Sequence, residues 1–425
     1  MKGDPKRVRI PAMATPDRVP QATVGRRNAQ RRALALGTLA FFTCFYAWSL
    51  LGPLGPDLQD HLGLSEFELS VMVAVPVILG SLMRIPMGIL TDIYGGRPMF
   101  TALIVFTLLP LVGLAVWHDS YGGVLLLGFL LGFAGSSFAI GVPFVNKWFE
   151  AERQGFALGV YGMGMGGTVL GGLTAPKIVD AWGLTAPFLF AAGALAFVGA
   201  GYALLARDAS PPSGGRITAQ RVRAPLAVFR RSRKAWALTL FYFLSFGGFV
   251  AMFLYLPKLL TGVHDLTKTD AGARAAGFAL LAVLARPIGG WLSDRLTAER
   301  VLRWSFAATI ALALVLAAFY ESMVPLTIAC LSLAVAFGLG TGAVFKLVAA
   351  WFPRDVGAVT GVVGAAGGLG GFFPPLVMAI VKEATGSYTF GFILLAGVGA
   401  VALGVLAALS RAGREEPADA PAVTA

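Results

Sequence analysis

Twelve stretches of about 20 mostly apolar residues, the length a helix needs to cross a bilayer, decide what this chain can fold into. They run over 33–56, 69–92, 98–117, 121–143, 153–176 and 184–206, then 235–257, 273–294, 301–320, 324–346, 356–381 and 388–410. Each backbone polar group in lipid must find a partner inside its own segment or in a closed barrel, so each stretch is predicted to be a helix. The expected fold class is an all-α membrane protein with twelve transmembrane helices in two six-helix halves, 33–206 and 235–410. A basic linker, 207–234, joins the halves, and polar tails, 1–32 and 411–425, flank them. Composition agrees: 57% of residues are hydrophobic and only 13% charged, where soluble domains run near 25% charged.

The net charge of +12 does not point to nucleic acid, because it is concentrated in two places. Residues 1–32 carry nine Lys/Arg against Asp4 and Asp17, and 207–234 carry eight against Asp208. The rest of the chain is close to neutral. Basic loops stay on the cytoplasmic side of a membrane, which predicts that both termini and the linker are cytoplasmic. The opposite loops then hold only Lys177, Lys258, Lys268 and Lys382, with Arg274 at a border. The start is polar and Pro-rich, with no apolar run before Ala33, so no cleavable leader is expected. Cys44 and Cys330 fall at unrelated places in apolar segments and read as small buried residues, without a disulfide or metal site.

The halves repeat one another at an offset of 202 positions. Met83-Arg84-Ile85-Pro86-Met87-Gly88-Ile89-Leu90-Thr91-Asp92 is echoed by Ala285-Arg286-Pro287-Ile288-Gly289-Gly290-Trp291-Leu292-Ser293-Asp294. Gly155, Gly159 and Gly162 match Gly357, Gly361 and Gly364, each set following a Trp-Phe loop. Each glycine in a helix costs about 1 kcal/mol against alanine, so something must offset the glycine runs of spans 5 and 11. Close helix contact accounts for part of them. The remainder leaves room for a small ligand and lets these helices slide. Asp92 and Asp294, at the cytoplasmic ends of spans 2 and 8, are placed to pair with an arginine or a helix N-terminus of the opposite half, as a gate would.

Arg84 and Arg286 lie two turns inward from those aspartates, too deep for a snorkelling side chain to explain easily. An arginine in hydrocarbon costs a few kcal/mol on insertion scales, so a matched pair requires a partner. The spans supply no midplane Asp, Glu or His. Asp57, Glu321 and Glu383 sit at far-side ends, and His61, His118 and His264 lie in or beside loops. Lys346 is near a cytoplasmic end. The partner expected is therefore an anion held between the halves. A guanidinium is a planar fork, suited to a planar oxyanion through two parallel hydrogen bonds; a lysine lacks that match.

Twelve spans with a charged central linker resemble the major facilitator superfamily, as does Gly88-x-x-x-Asp92-x-x-Gly95-Gly96-Arg97 after span 2 with its weaker partner Gly290-x-x-x-Asp294-Arg295 after span 8. That resemblance implies two pseudosymmetric halves with substrate bound between them near the midplane. It also makes Asp92, Arg97, Asp294 and Arg295 the expected gate. Within the superfamily, Arg84, Arg286-Pro287, and the glycine-rich spans 5 and 11, above all Gly361 to Phe373, resemble the nitrate/nitrite porter family over about residues 33–410. The resemblance implies that nitrate, nitrite or both cross a bacterial inner membrane, with Arg84 and Arg286 as anion ligands and Phe138 as a stacking ring. It makes Gly162, Gly164, Gly367 and Gly368 parts of the two glycine signatures. Tyr46, Trp48 and Phe249 are candidate pocket walls whose register the sequence leaves open. Where the family's span 5 signature commonly continues Gly-x-Gly-Asn, this chain has Gly162-Met163-Gly164-Met165, so the amide is missing.

Two facing positive charges without a counter-ion would hinder return of the empty carrier, which favours nitrate/nitrite exchange over proton-coupled symport or transport of another small anion. The chain shows no appended soluble domain for a sensor, and no nucleophile–base pair, metal cluster or cofactor motif for an enzyme. Nitrate, nitrite and membrane lipid are the expected partners, nucleic acid is not, and a single copy is expected to function.

Overall fold

The computed structural model describes residues 21–211 and 227–415, with the side chains of all of these except 21–24, 66, 268–269, 372–384 and 412–415. The tails 1–20 and 416–425, the linker residues 212–226, and the side chains of Lys268, Lys382 and Glu383 lie outside it. Twelve long helices account for the described chain: α1 (Gln21–Trp48), α2 (Glu66–Tyr94), α3 (Gly96–Val116), α4 (Tyr121–Asn146), α5 (Ala151–Trp182), α6 (Ala186–Leu205), α7 (Arg233–His264), α8 (Lys268–Arg295), α9 (Ala298–Phe319), α10 (Met323–Trp351), α11 (Val356–Thr385) and α12 (Thr389–Glu415). Among the described residues ten of these are long and apolar enough to cross a membrane, and Val356–Gly371 of α11 is a shorter apolar stretch.

The first span departs from its expected range. Its helix stops at Trp48, and a run of turns leads into a two-turn helix, Gly55–Leu62. The cause is the repeated Gly52-Pro53 and Gly55-Pro56: a proline has no N–H to continue the ladder, but it suits the first turn of a new helix, where Pro56 sits. At its other end α1 reaches back into the basic segment.

The halves share cap chemistry as well as length. Ser65 begins α2 with a capping box: its hydroxyl accepts from the Glu68 N–H at 3.3 Å, and the Glu68 carboxylate accepts from the Ser65 N–H at 2.9 Å. Thr267, 202 positions on, accepts from the Asp270 N–H at 3.2 Å to begin α8. Outward faces carry exposed apolar side chains such as Phe197 and Leu204, the surface a lipid tail would cover. Exposed tryptophans lie near the helix ends, Trp117 and Trp182 at one side and Trp236 and Trp304 at the other, where an amphipathic ring suits a membrane interface.

Two seams join the halves, α2 against α11 and α5 against α8. Both are built from glycine on glycine. A Cβ on Gly88 would strike the Gly357 carbonyl, and one on Gly290 would strike the Gly155 carbonyl. One turn inward, a Cβ on Gly361 would strike the Arg84 carbonyl and one on Gly159 the Arg286 carbonyl. The paired glycines therefore serve backbone contact across the seam, and that contact puts both arginines in the space between the halves.

Candidate functional site

Each arginine reaches across its seam and donates to the backbone of the opposite half. Arg84 Nη1–H donates to the Gly364 carbonyl of α11 at 2.5 Å, and its Nε–H donates to the Gly135 carbonyl of α4 at 3.1 Å. Arg286 Nη1–H donates to the Gly162 carbonyl of α5 at 3.1 Å, and its Nη2 contacts the Met165 sulfur at 3.4 Å. Gly162 and Gly364 are themselves 202 apart, so the repeat extends to the hydrogen bond. A Cβ at Gly162 would stand 3.3 Å from Arg286 Nη1, and one at Gly368 would stand 3.3 Å from Arg84 Nη1 and would strike Ser81. Side chains at these glycines would crowd the guanidiniums.

Both arginines are almost wholly buried. Among the described residues no carboxylate forms an ion pair with either. Leaving a buried charge without a counter-ion costs several kcal/mol. Part of that is offset by charge-assisted bonds to carbonyls, each worth about 1.5–3 kcal/mol, and part by an aromatic face. The guanidinium carbons of Arg84 and Arg286 lie 5.7 and 5.5 Å from the centroid of one ring, Phe246 of α7. A cation over a desolvated ring gains about 2 kcal/mol.

Phe246 belongs to an aromatic group drawn from both halves. It stacks on Tyr242 with centroids 5.0 Å apart, and Tyr242 stacks on Phe138 of α4 at 6.2 Å with nearly parallel planes. Phe345 of α10 stands edge-on to both Phe138 and Tyr242, at 4.7 and 4.8 Å. Phe138, an expected ring, stands in this group beside Tyr242, Phe246 and Phe345, which the sequence did not single out. A π-helical turn runs over Phe243–Gly247 within this part of α7. The Gly247 and Gly370 backbones meet at that turn.

Of the other expected wall residues, Phe249 lies against Phe246 with ring centroids 6.2 Å apart, and Tyr46 and Trp48 bond elsewhere. Tyr46 bonds Thr174 through its hydroxyl at 3.1 Å and fixes α1 to α5. Trp48 donates to the Pro76 carbonyl at 3.2 Å, and Phe249 stacks on Phe278 of α8 at 5.9 Å. Gly164 faces Phe41 of α1, and Gly367 faces Tyr242 and Phe246. Of the four signature glycines, Gly162 and Gly368 therefore touch an arginine, Gly367 touches the ring stack, and Gly164 serves packing inside its own half.

Nearer the basic end of the bundle, the two aspartates close the seams. Asp92 accepts from the Gly357 and Ala358 N–H groups at 3.2 and 3.1 Å, where α11 starts and backbone donors have no intrahelical acceptor. Asp294 accepts from the Gly155 and Phe156 N–H groups at 2.9 and 2.7 Å. Asp294 also pairs with Lys346 at 2.7 Å, and the same ammonium donates to the Ala151 carbonyl one turn before Gly155. Lys346 is thus a seam residue, a role the sequence did not make plain. Arg97 and Arg295 do not cross a seam. Arg97 donates to the Ala203 carbonyl near the C-terminus of α6 at 2.8 and 3.2 Å, where a helix end favours a cation, and its own N–H is held by Asp208. Arg295 lies over the ring of Trp291, 4.5 Å away on its own helix.

The sequence profile of the Major Facilitator Superfamily matches residues 37–345 and, in a second alignment, 260–424. The chain is 42% identical over 379 residues to a protein of Mycobacterium tuberculosis named "Probable nitrate/nitrite transporter NarK2", covering 88% of this chain and 95% of that one. It is 37% identical to the "Nitrite extrusion protein" of Bacillus subtilis, covering 87% and 92%. Against "Probable nitrate transporter NarT" of Staphylococcus carnosus it is 35% identical, covering 90% and 96%. Two solved structures share the fold at low identity: human organic anion transporter MFSD10, with TM-score 0.73, 17% identity and 89% and 99% coverage, and FucP in its outward conformation, with TM-score 0.69, 19% identity and 88% and 97% coverage.

Proposed function

We propose that this chain, which belongs to the Major Facilitator Superfamily and within it to the nitrate/nitrite porter family, carries nitrate and nitrite across a bacterial plasma membrane by alternating access. One observation carries the reading for the residues: two buried arginines from opposite halves face one aromatic ring and have no carboxylate beside them among the described residues. An arginine has five N–H donors, and the carbonyl bonds of Arg84 engage only Nε and Nη1. A planar oxyanion between the two guanidiniums takes the remaining donors as two forks. Its flat face rests against Phe246 and Tyr242, a shape that disfavours a tetrahedral anion.

Bound anion neutralises the pair and bridges the halves. Release leaves two like charges facing each other, held by carbonyls, the Met165 sulfur and a ring. That state resists the passage in which one seam must open and another close, so the carrier returns loaded: nitrate moves one way and nitrite the other. During each passage the Asp92 and Asp294 bonds at the basic end break and re-form. The basic charge of the N-terminal tail and linker supports a cytoplasmic side for that end and for both termini.

The test is nitrate counterflow in proteoliposomes. Uptake that needs internal nitrite and ignores an imposed pH gradient supports exchange. Uptake driven by the gradient into nitrite-free vesicles contradicts exchange and makes the protein a proton symporter.

A further inference from the structure

At the end of the bundle away from the aspartate seams, three side chains from two connections converge. His61 ends the short helix Gly55–Leu62, while His118 and Asp119 form the brief turn between α3 and α4. His61 Nε2 lies 2.7 Å from Asp119 Oδ1, His118 Nε2 lies 3.9 Å from the same oxygen, and the three ligand atoms all fall within 4.8 Å of one another. No sequence pattern marks this cluster, since His61 and His118 are far apart along the chain and neither lies near a cysteine.

We infer that His61, His118 and Asp119 form a binding site for a divalent transition metal of the zinc class. Three features support the assignment. First, tetrahedral zinc with nitrogen and oxygen ligands near 2.0–2.1 Å sets its ligand atoms about 3.3 Å apart, and the two measured separations bracket that value. Second, His118 Nδ1 is 3.0 Å from the Leu114 carbonyl, which can only accept. That bond puts the proton on Nδ1 and leaves the Nε2 lone pair directed at the other two ligands, the tautomer and outer-shell contact a metal-bound histidine uses. Third, the ligands are held by short connections. Gly63, at φ +65°, turns the chain directly after the His61 helix, and Ser120 caps α4 directly after Asp119 by accepting from the Gly123 N–H. Only His118 is well covered, with 13% of its side chain exposed, so the fourth ligand position faces water.

Two imidazoles and one carboxylate suit Zn²⁺, Cu²⁺ or Ni²⁺ and disfavour Mg²⁺ and Ca²⁺, which prefer oxygen ligands. Binding replaces the His61–Asp119 contact and displaces one proton, from His61 Nε2 when that nitrogen is the donor. The ion then staples the connection after the broken end of α1 to the connection before α4. All three ligands belong to one half, so the staple leaves both seams free.

The experiment uses the full chain in detergent micelles, with any polyhistidine tag removed and metal stripped by a chelator. Zn²⁺ is titrated by calorimetry and by its effect on the unfolding temperature, with Mg²⁺ as comparison. The inference expects one equivalent of Zn²⁺, a rise in unfolding temperature that Mg²⁺ does not produce, and weaker binding at pH 5.5 than at pH 7.5. His118→Gln and Asp119→Asn should each weaken binding at least as much as loss of an outer-shell partner does, about 10- to 100-fold, while His264→Gln should leave it unchanged. A wild-type chain that takes up no Zn²⁺, or a His61→Gln/His118→Gln double variant that binds it as tightly as wild type, overturns the inference. Either result leaves the pair as a plain histidine–aspartate contact.

Discussion

The two seams between the halves are copies of each other in backbone and differ in side chains. On both, an arginine donates to the carbonyl of a glycine 202 positions from its counterpart, and an aspartate accepts from two N–H groups at the start of a glycine-rich helix. The difference lies in what surrounds that frame. The α5–α8 seam carries Lys346 on Asp294 and the Met165 sulfur on Arg286. The α2–α11 seam has Gly368 against Arg84 and Phe138 beside Gly364. The ring that both arginines share, Phe246, comes from the C-terminal half alone. Conformational machinery can be duplicated because it is made of backbone contacts that either half can supply. The two guanidiniums proposed to hold the anion repeat with that frame, while the ring they share is placed once.

Substitutions at the arginines should have the largest effect and test whether the seams are equivalent in function. Arg84→Lys and Arg286→Lys each keep the charge and lose the fork; nitrate uptake in proteoliposomes should fall about 100-fold or more in both, matching the loss of two charge-assisted bonds worth about 1.5–3 kcal/mol each. A large loss in one variant and near-normal uptake in the other would mean that a single arginine holds the anion.

Lys346→Met separates the seams. Removing one partner of a largely buried ion pair costs about 3 kcal/mol, and here it loosens only the α5–α8 side. Hydrogen exchange should speed up at the Gly155 and Phe156 amides and stay unchanged at Gly357 and Ala358. Equal acceleration at both sites would show that the seams open as one unit.

Gly155→Ala and Gly357→Ala probe what the seams share. Each new methyl meets a carbonyl of the opposite helix, an overpacking cost of about 1–3 kcal/mol, so both variants should melt lower by similar amounts and transport poorly. The smallest effect is expected from Met165→Asn. It puts an amide beside Arg286 and adds about one neutral hydrogen bond, a change in nitrate affinity of roughly tenfold or less, readable as a shift in the nitrate-to-nitrite competition ratio.

Much of this frame was legible in the sequence because it is repeated and local. Arg84, Gly88 and Asp92 recur with fixed spacing on segments whose hydropathy already makes them helices, and an arginine at that depth needs an explanation. The Ser65 and Thr267 caps repeat at the same offset and could have been read too. What escaped depends on contacts that no local period encodes. Tyr242 and Phe246 join the ring group through Phe138 and Phe345, which lie far away in sequence. Phe345 and Lys346 are neighbours on α10 but serve different layers, one the ring stack and the other the α5–α8 seam. Arg97 had the spacing of a gate residue, and the end of α6, a hundred residues away in sequence, drew it aside.

Arginine ¹⁵N resonances test, without relying on transport, whether one anion touches both guanidiniums. In full-length protein labelled at arginine and held in lipid nanodiscs, the Arg84 and Arg286 side-chain signals can be assigned by their loss in the two lysine variants. Titrating nitrate should move both sets with one common dissociation constant, and sulfate should move neither. Nitrate that saturates the protein while either arginine's signals stay in place would show that no anion bridges the pair.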